Sequence, residues 1–164
     1  MAKLMNRYVA GAFVWLLVVA LPQPVVAKQM VAVANPLAAE AGMAVLRSGG
    51  TAADAAVAVQ AVLGLVEPQS SGIGGGAFLL YWDASARNLI TIDGRETAPA
   101  SATPGRFLDD EGEKRGFWKS MVGGQSVGVP GTVRSLDLLH KLFGNRPWAE
   151  LFEFAIQLAE DGFA

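Results

Sequence analysis

The stretch from Ala52 to Leu65 constrains the fold more than any other part of the chain. Ala52, Ala53, Ala55, Ala56, Val57, Ala58, Val59, Ala61, Val62 and Leu63 leave it almost no polar face. A helix of this composition has no side to turn toward water, so it must be buried nearly all round. Its alanines let neighbouring backbones come close, which predicts a helix sandwiched between other elements. Thr51 and Asp54 stand at the spacing of a capping box and set its start.

The flanking segments supply the expected cover. Asn35 followed by Pro36 is a helix start, because the Asn side chain caps free amides and proline costs nothing at the first helical position. That helix should run to Leu46 or Arg47 with Leu37, Ala41, Ala44 and Val45 on its inner face, and stop at Gly49 and Gly50. After the buried helix comes SSGIGGG, Ser70 to Gly76, whose glycines permit backbone angles and close approaches denied to other residues. The period then changes to that of strands. Ala77 to Asp83, a turn over Ser85 to Asn88, and Leu89 to Asp93 with Ile90 and Ile92 on one side predict a β-hairpin.

From Thr97 to Gly124 the chain reads as loop, with a solvated charged turn from Asp109 to Arg115. A helix from Thr132 to Phe143 should face inward with Val133, Leu136, Leu139 and Leu142 or Phe143. A last helix from near Pro147 to Gly162 should present Trp148, Leu151, Phe152, Ala155 and Ile156 as one stripe. The order helix, helix, hairpin, helix, helix predicts an α+β layered fold with an antiparallel sheet. A lone hairpin is marginal in water, so such a sheet is expected to continue in strands this chain does not contain. The apolar helix would then lack part of its cover here.

The beginning of the chain reads as an address. Lys3 and Arg7 precede an apolar run from Tyr8 to Leu21, roughly 14 residues, which is signal-peptide length and short of the ~20 that span a bilayer. Pro22 and Pro24 stop the run, and Val25 with Ala27 offers the small residues a signal peptidase accepts. Residues 1–27 are therefore expected to be a signal peptide and 28–164 the exported part, periplasmic or secreted, without stable membrane insertion. An uncleaved anchor is the alternative. Losing residues 1–27, which hold Lys3 and Arg7 and no acid, shifts the formal net charge from -2 to about -4. The remaining cations are scattered, without the clustering and aromatic interleaving that nucleic-acid binding needs.

Little of the usual chemistry fits. With no cysteine, thiolate metal sites, disulfides and a cysteine nucleophile are excluded. The one histidine, His140, shares a predicted helix with Leu136 and Leu139, and reads as a structural side chain. Asp109, Asp110, Glu111 and Glu113 lack the alternating pattern of a calcium loop, so no metal is implied. The GIGGG run precedes a strand and lacks the Lys and Ser or Thr of a nucleotide loop, so it implies no cofactor either and fits tight packing between helix and hairpin. DGRETAP, Asp93 to Pro99, is the most suggestive stretch, because Arg95 just past a strand end can aim a planar fork of N–H donors at a ligand carboxylate. Arginine beside acids also forms plain surface ion pairs, and the residues alone leave both open.

Three segments in order carry a resemblance: GGTAADAAVA with SGIGGG, then DGRETAP, then GVPGTV leading into the last two helices. Together they span nearly all of Met30 to Phe163 and resemble the gamma-glutamyltransferase (gamma-glutamyl transpeptidase, glutathione hydrolase) family of N-terminal-nucleophile hydrolases. The resemblance implies an αββα layered fold, of which this chain is the N-terminal part of the large subunit. It also implies a precursor that cuts itself to give a small-subunit partner headed by a threonine nucleophile, absent here, that attacks gamma-glutamyl amides such as glutathione. The fragment alone is then expected to be inactive, with no catalytic residue in this chain. Arg95 matches the family arginine that grips the glutamyl α-carboxylate, and Glu96 either orients it or faces solvent. Related acylases, enzymes that process poly-gamma-glutamate, and a non-catalytic exported binding module are the alternatives.

Overall fold

The computed structural model describes residues 29–163. The expected signal peptide lies outside them. The compact unit Val31–Ala164 carries the elements below. In order these are helices α1 (Pro36–Arg47) and α2 (Ala52–Val66), strands β1 (Ala77–Asp83) and β2 (Asn88–Gly94), and helices α3 (Phe117–Met121), α4 (Thr132–Phe143) and α5 (Glu153–Asp161). A 3-10 turn, Gly124–Ser126, follows α3 and another, Trp148–Phe152, leads into α5. The architecture is α+β, as the sequence predicts.

Local chemistry sets the boundaries. Asn35 Oδ1 accepts a hydrogen bond from the Leu37 amide at 3.0 Å, while its Nδ2 donates to Glu67 Oε1 at 3.2 Å and so ties the start of α1 to the end of α2. Past α1, Gly49 takes φ +89°, the left-handed conformation that glycine enters without strain. The capping box of α2 forms in both directions: Asp54 N donates to Thr51 Oγ1 at 3.2 Å, and Thr51 N donates to Asp54 Oδ2 at 2.8 Å.

The apolar helix is the hub of the core. Each of three buried clusters contains one of its side chains: Val62 with Ala38 and Ala41 of α1, Ala53 with Ile92 of β2 and Leu139 of α4, and Val57 with Leu136 of α4 and Leu151. Along α2 the first half is largely buried but Val59 to Ala61 and Leu63 to Val66 are only half-buried, and Ala61, Gly64 and Leu65 line an open apolar groove, so the helix lacks part of its cover as expected. Cover is missing on the sheet as well. β1 and β2 pair antiparallel in the register Ala77↔Gly94 to Asp83↔Asn88. Leu79, Tyr81, Ile90 and Ile92 face the helices, while Phe78, Leu80, Trp82 and Leu89 lie on the other face at 52–71% exposure. Apolar side chains on both faces are the pattern of a sheet in the interior of a layered fold.

Several inner faces differ from those predicted. In α1 the buried residues are Ala38, Ala41, Gly42 and Leu46, and Ala44 is exposed, because contact with α2 is made at the smallest side chains. In α4 Phe143 rather than Leu142 packs inward, while Val133 is exposed and Thr132 and Ser135 are buried, since the start of that helix presses on Gly94 where only small groups fit. The last helix opens as a 3-10 turn, which shifts the phase of the α-helical turns after it. Ile156 is therefore half exposed, and Phe154 and Leu158 pack inward in its place. Helix α3, inside the predicted loop, has no side-chain cap and no buried residue, so neither capping nor periodicity marks it. Asp109 to Lys114 form an exposed turn as predicted, closed by Asp109 N donating to Glu113 O at 2.9 Å, while Arg115 is half-buried.

Candidate functional site

Arg95 follows β2 directly, and the junction it stands on is tightly built. A β-carbon on Gly94 would lie 2.6 Å from Ser135 Oγ, and one on Gly131 would overlap the Gly94 carbonyl oxygen. The start of α4 thus presses on the end of β2, and glycine at both positions permits the contact. The Arg95 amide donates to Asp93 Oδ1 at 2.9 Å. Two residues on, Thr97 and Val129 exchange backbone hydrogen bonds of 3.3 and 2.9 Å. The frame fixes where the backbone launches the Arg95 side chain.

The guanidinium itself is free to meet a ligand. The Arg95 side chain is 71% exposed, and its one ion pair among the described residues is Nε to Glu96 Oε2 at 3.4 Å. Glu96 is held more firmly, with its side chain 31% exposed. Its carboxylate lies over the glycine loop, close enough that a β-carbon on Gly76 would come within 2.7 Å of Oε2, and its own stem packs on Gly128. Glu96 therefore does not simply face solvent; it flanks the guanidinium from a fixed position.

The glycine run packs as predicted at one end only. Among Gly72, Gly74, Gly75 and Gly76 none has positive φ, so close approach rather than backbone angle accounts for Gly76, while Gly74 faces open space. Between this loop, Gln60, Glu96 and Thr132 opens a polar cleft of about 400 Å³. Two oxygens on its lining, Glu96 Oε2 and Thr132 Oγ1, are buried without a hydrogen-bond partner among the described residues. Neither signal was legible beforehand, since Thr132 reads in sequence only as a helix start.

On the other side of Arg95 and Glu96 lies a cleft of about 540 Å³ walled by Thr97 to Pro99, by Ala102, Thr103, Arg106 and Phe107, and by Gln125 to Gly128. Arg106 belongs to this wall, in a stretch to which the sequence assigns no chemistry. His140 is structural: half-buried, its Nε2 lies 2.8 Å from the Arg146 carbonyl oxygen and 3.5 Å from Asp54 Oδ1, with Trp148 edge-on to the ring. Among the described residues no three His, Asp or Glu side chains gather as a metal ligand set.

The family model for gamma-glutamyltranspeptidase matches residues 38–164, and the chain belongs to that family. Among curated relatives, the glutathione hydrolase proenzyme of Bacillus subtilis (strain 168) is 47% identical over 134 residues, 82% of this chain and 23% of that protein. The chain thus spans under a quarter of that relative's length. Among solved structures, the Helicobacter pylori gamma-glutamyltranspeptidase superposes with TM-score 0.77 at 38% identity, covering 87% of this chain and 40% of that one. The enzyme from Pseudomonas nitroreducens gives TM-score 0.75 at 36% identity over 82% and 39%. The fold is accordingly that of an N-terminal-nucleophile hydrolase, in the portion these residues cover.

Proposed function

We propose that the protein to which these residues belong hydrolyses or transfers gamma-glutamyl groups, with glutathione as a donor, and that Arg95 binds the donor's α-carboxylate. The observation that carries this is an exposed guanidinium on a rigid strand-to-helix junction, within the motif that the family match covers. Arginine suits the task because its fork binds both oxygens of a carboxylate at once. The chemistry itself is that of an N-terminal threonine: its hydroxyl attacks the amide, its amine serves as base, and an acyl-enzyme passes to water or an acceptor amine. That threonine belongs to a small subunit cut from the same precursor, and the word proenzyme in the relative's name supports the processing.

Export by the segment 1–27, to the periplasm or beyond, is part of the same proposal. Lys3, Arg7 and the apolar run to Leu21 support it, and among the described residues no helix is long and apolar enough to cross a membrane. Intact mass analysis and donor assays of the full-length gene product test the whole. The expected result is a large chain beginning at Lys28, a second chain beginning with threonine, and turnover of glutathione. A single uncut chain, or turnover of an antibiotic side-chain amide or poly-gamma-glutamate without glutathione, would contradict it.

A further inference from the structure

The cleft of about 540 Å³ beside Arg95 holds a second guanidinium, Arg106. Its Nε donates to the Gln125 carbonyl oxygen at 2.6 Å, which fixes the plane of the fork. Gln125 is braced in turn from the other side, where Arg115 Nη1 donates to Gln125 Oε1 at 2.9 Å and Arg115 Nε donates to the Leu108 carbonyl oxygen at 2.9 Å. The two terminal nitrogens of Arg106 have no partner among the described residues, and no described carboxylate lies within ion-pairing distance of them. The side chain is nonetheless half-buried, in a wall it shares with Pro99, Ala102, Phe107 and Val127.

A guanidinium whose plane is fixed through Nε while both terminal nitrogens stay unpaired presents two donors in parallel to an incoming anion. Two guanidiniums and one carboxylate, Glu96, line this cleft, so its charge is positive in a chain whose formal net charge is -2. The apolar part of the wall strengthens attraction to an anion held there.

We propose that Arg106 is a specificity-determining residue that binds a second carboxylate, on the departing part of the donor, so that dicarboxylate gamma-glutamyl donors are preferred to those with a neutral leaving group. This rests on the assignment of the first carboxylate to Arg95. Glutathione has the required form, an α-carboxylate at the glutamyl end and another at its glycine end. The interaction concerns the donor and its transition state alone, because the acceptor or water arrives after the departing part has left.

The test compares kcat/KM for glutathione with that for its glycine-end amide, in the full-length enzyme and in Arg106→Gln. The wild type is expected to favour the acid about tenfold, the ratio that one charged hydrogen-bonded contact supplies, and Arg106→Gln to lose the preference by slowing on glutathione alone. The amide also reports on folding, since its rate in the variant should stay within about twofold of wild type. Equal rates on acid and amide in the wild type overturn the inference independently of any variant. So does a fall in Arg106→Gln that is the same for both donors. Should the wild type turn over neither donor, the gamma-glutamyl assignment itself falls, and this inference with it.

Discussion

Asp54 is fully buried, yet its carboxyl is held below the ordinary value of 3.8. Burial alone would raise it. Hydrogen bonds from the Thr51 amide, the Asn145 amide, the Thr51 hydroxyl and the Arg146 amide together outweigh that and favour the ionised form. One carboxylate thus joins the cap of α2 to the turn after α4. Because the folded-state pKa is depressed, the stabilisation is complete above 3.8 and is lost as pH falls from there through the folded-state value. Asp54→Asn should therefore lower stability by about 1–3 kcal/mol at neutral pH, and should flatten the loss of stability on acidification below 3.8. Urea unfolding of the full-length protein at several pH values reads both, and an unchanged acid slope would contradict the assignment.

At this scale the sequence announces some roles and conceals others. The capping pair Thr51 and Asp54 is legible because its spacing is local. The reach of Asp54 to Asn145 is not, since it joins residues 91 apart in sequence. Arg95 is legible as a candidate from its place after a strand. Arg106 is not, because its meaning depends on Gln125 and on the cleft wall that the intervening loop creates.

Among elements, α1 and α2 pack closely enough that only glycine fits at position 42. A β-carbon on Gly42 would lie 2.7 Å from Val59 Cγ2 and 3.2 Å from Val31 Cγ2. Glycine weakens a helix interior, so its presence here reflects packing rather than propensity. Gly42→Val should destabilise the protein by about 1–3 kcal/mol through overpacking, and Val59→Ala should recover part of that loss. Strict additivity of the two changes in thermal or urea unfolding would mean that the helices do not meet there.

Element types follow from composition and punctuation, since the apolar run, the strand alternation and the glycine stops are local signals. Inner faces follow less well. Ala44 and Ile156 point outward because α1 docks through Ala38, Ala41 and Gly42, and because the 3-10 turn at Trp148–Phe152 resets the phase of α5. A strict helical period contains neither fact.

For the whole molecule, the two faces of the hairpin tell most. The inner face packs on α2 and α4, and Tyr81 stacks on Phe143 at 4.1 Å. The outer face exposes Phe78, Leu80 and Trp82, an adjoining apolar set of the kind that marks a packing face. That layered arrangement was legible from the lone hairpin, and the incomplete cover of α2 from its composition, whereas the apolar outer face of the sheet was not, because strand alternation by itself does not say which face meets another layer. The same arrangement puts Arg95 at a strand end with the clefts beside it, where a ligand can reach its donors.

The central claim is that Arg95 grips the α-carboxylate of a gamma-glutamyl donor, and the most direct measurement pairs a change in the residue with a change in the ligand. In the full-length enzyme, kcat/KM is compared for a gamma-glutamyl donor and its analogue lacking the α-carboxylate, with Arg95 intact and with Arg95→Lys. Removing the carboxylate should cost the wild type about 10- to 150-fold. The lysine variant should be strongly impaired on the complete donor and nearly indifferent to the carboxylate's removal, because the charge remains but the fork is lost. A variant that discriminates between the two donors as sharply as the wild type would contradict the account.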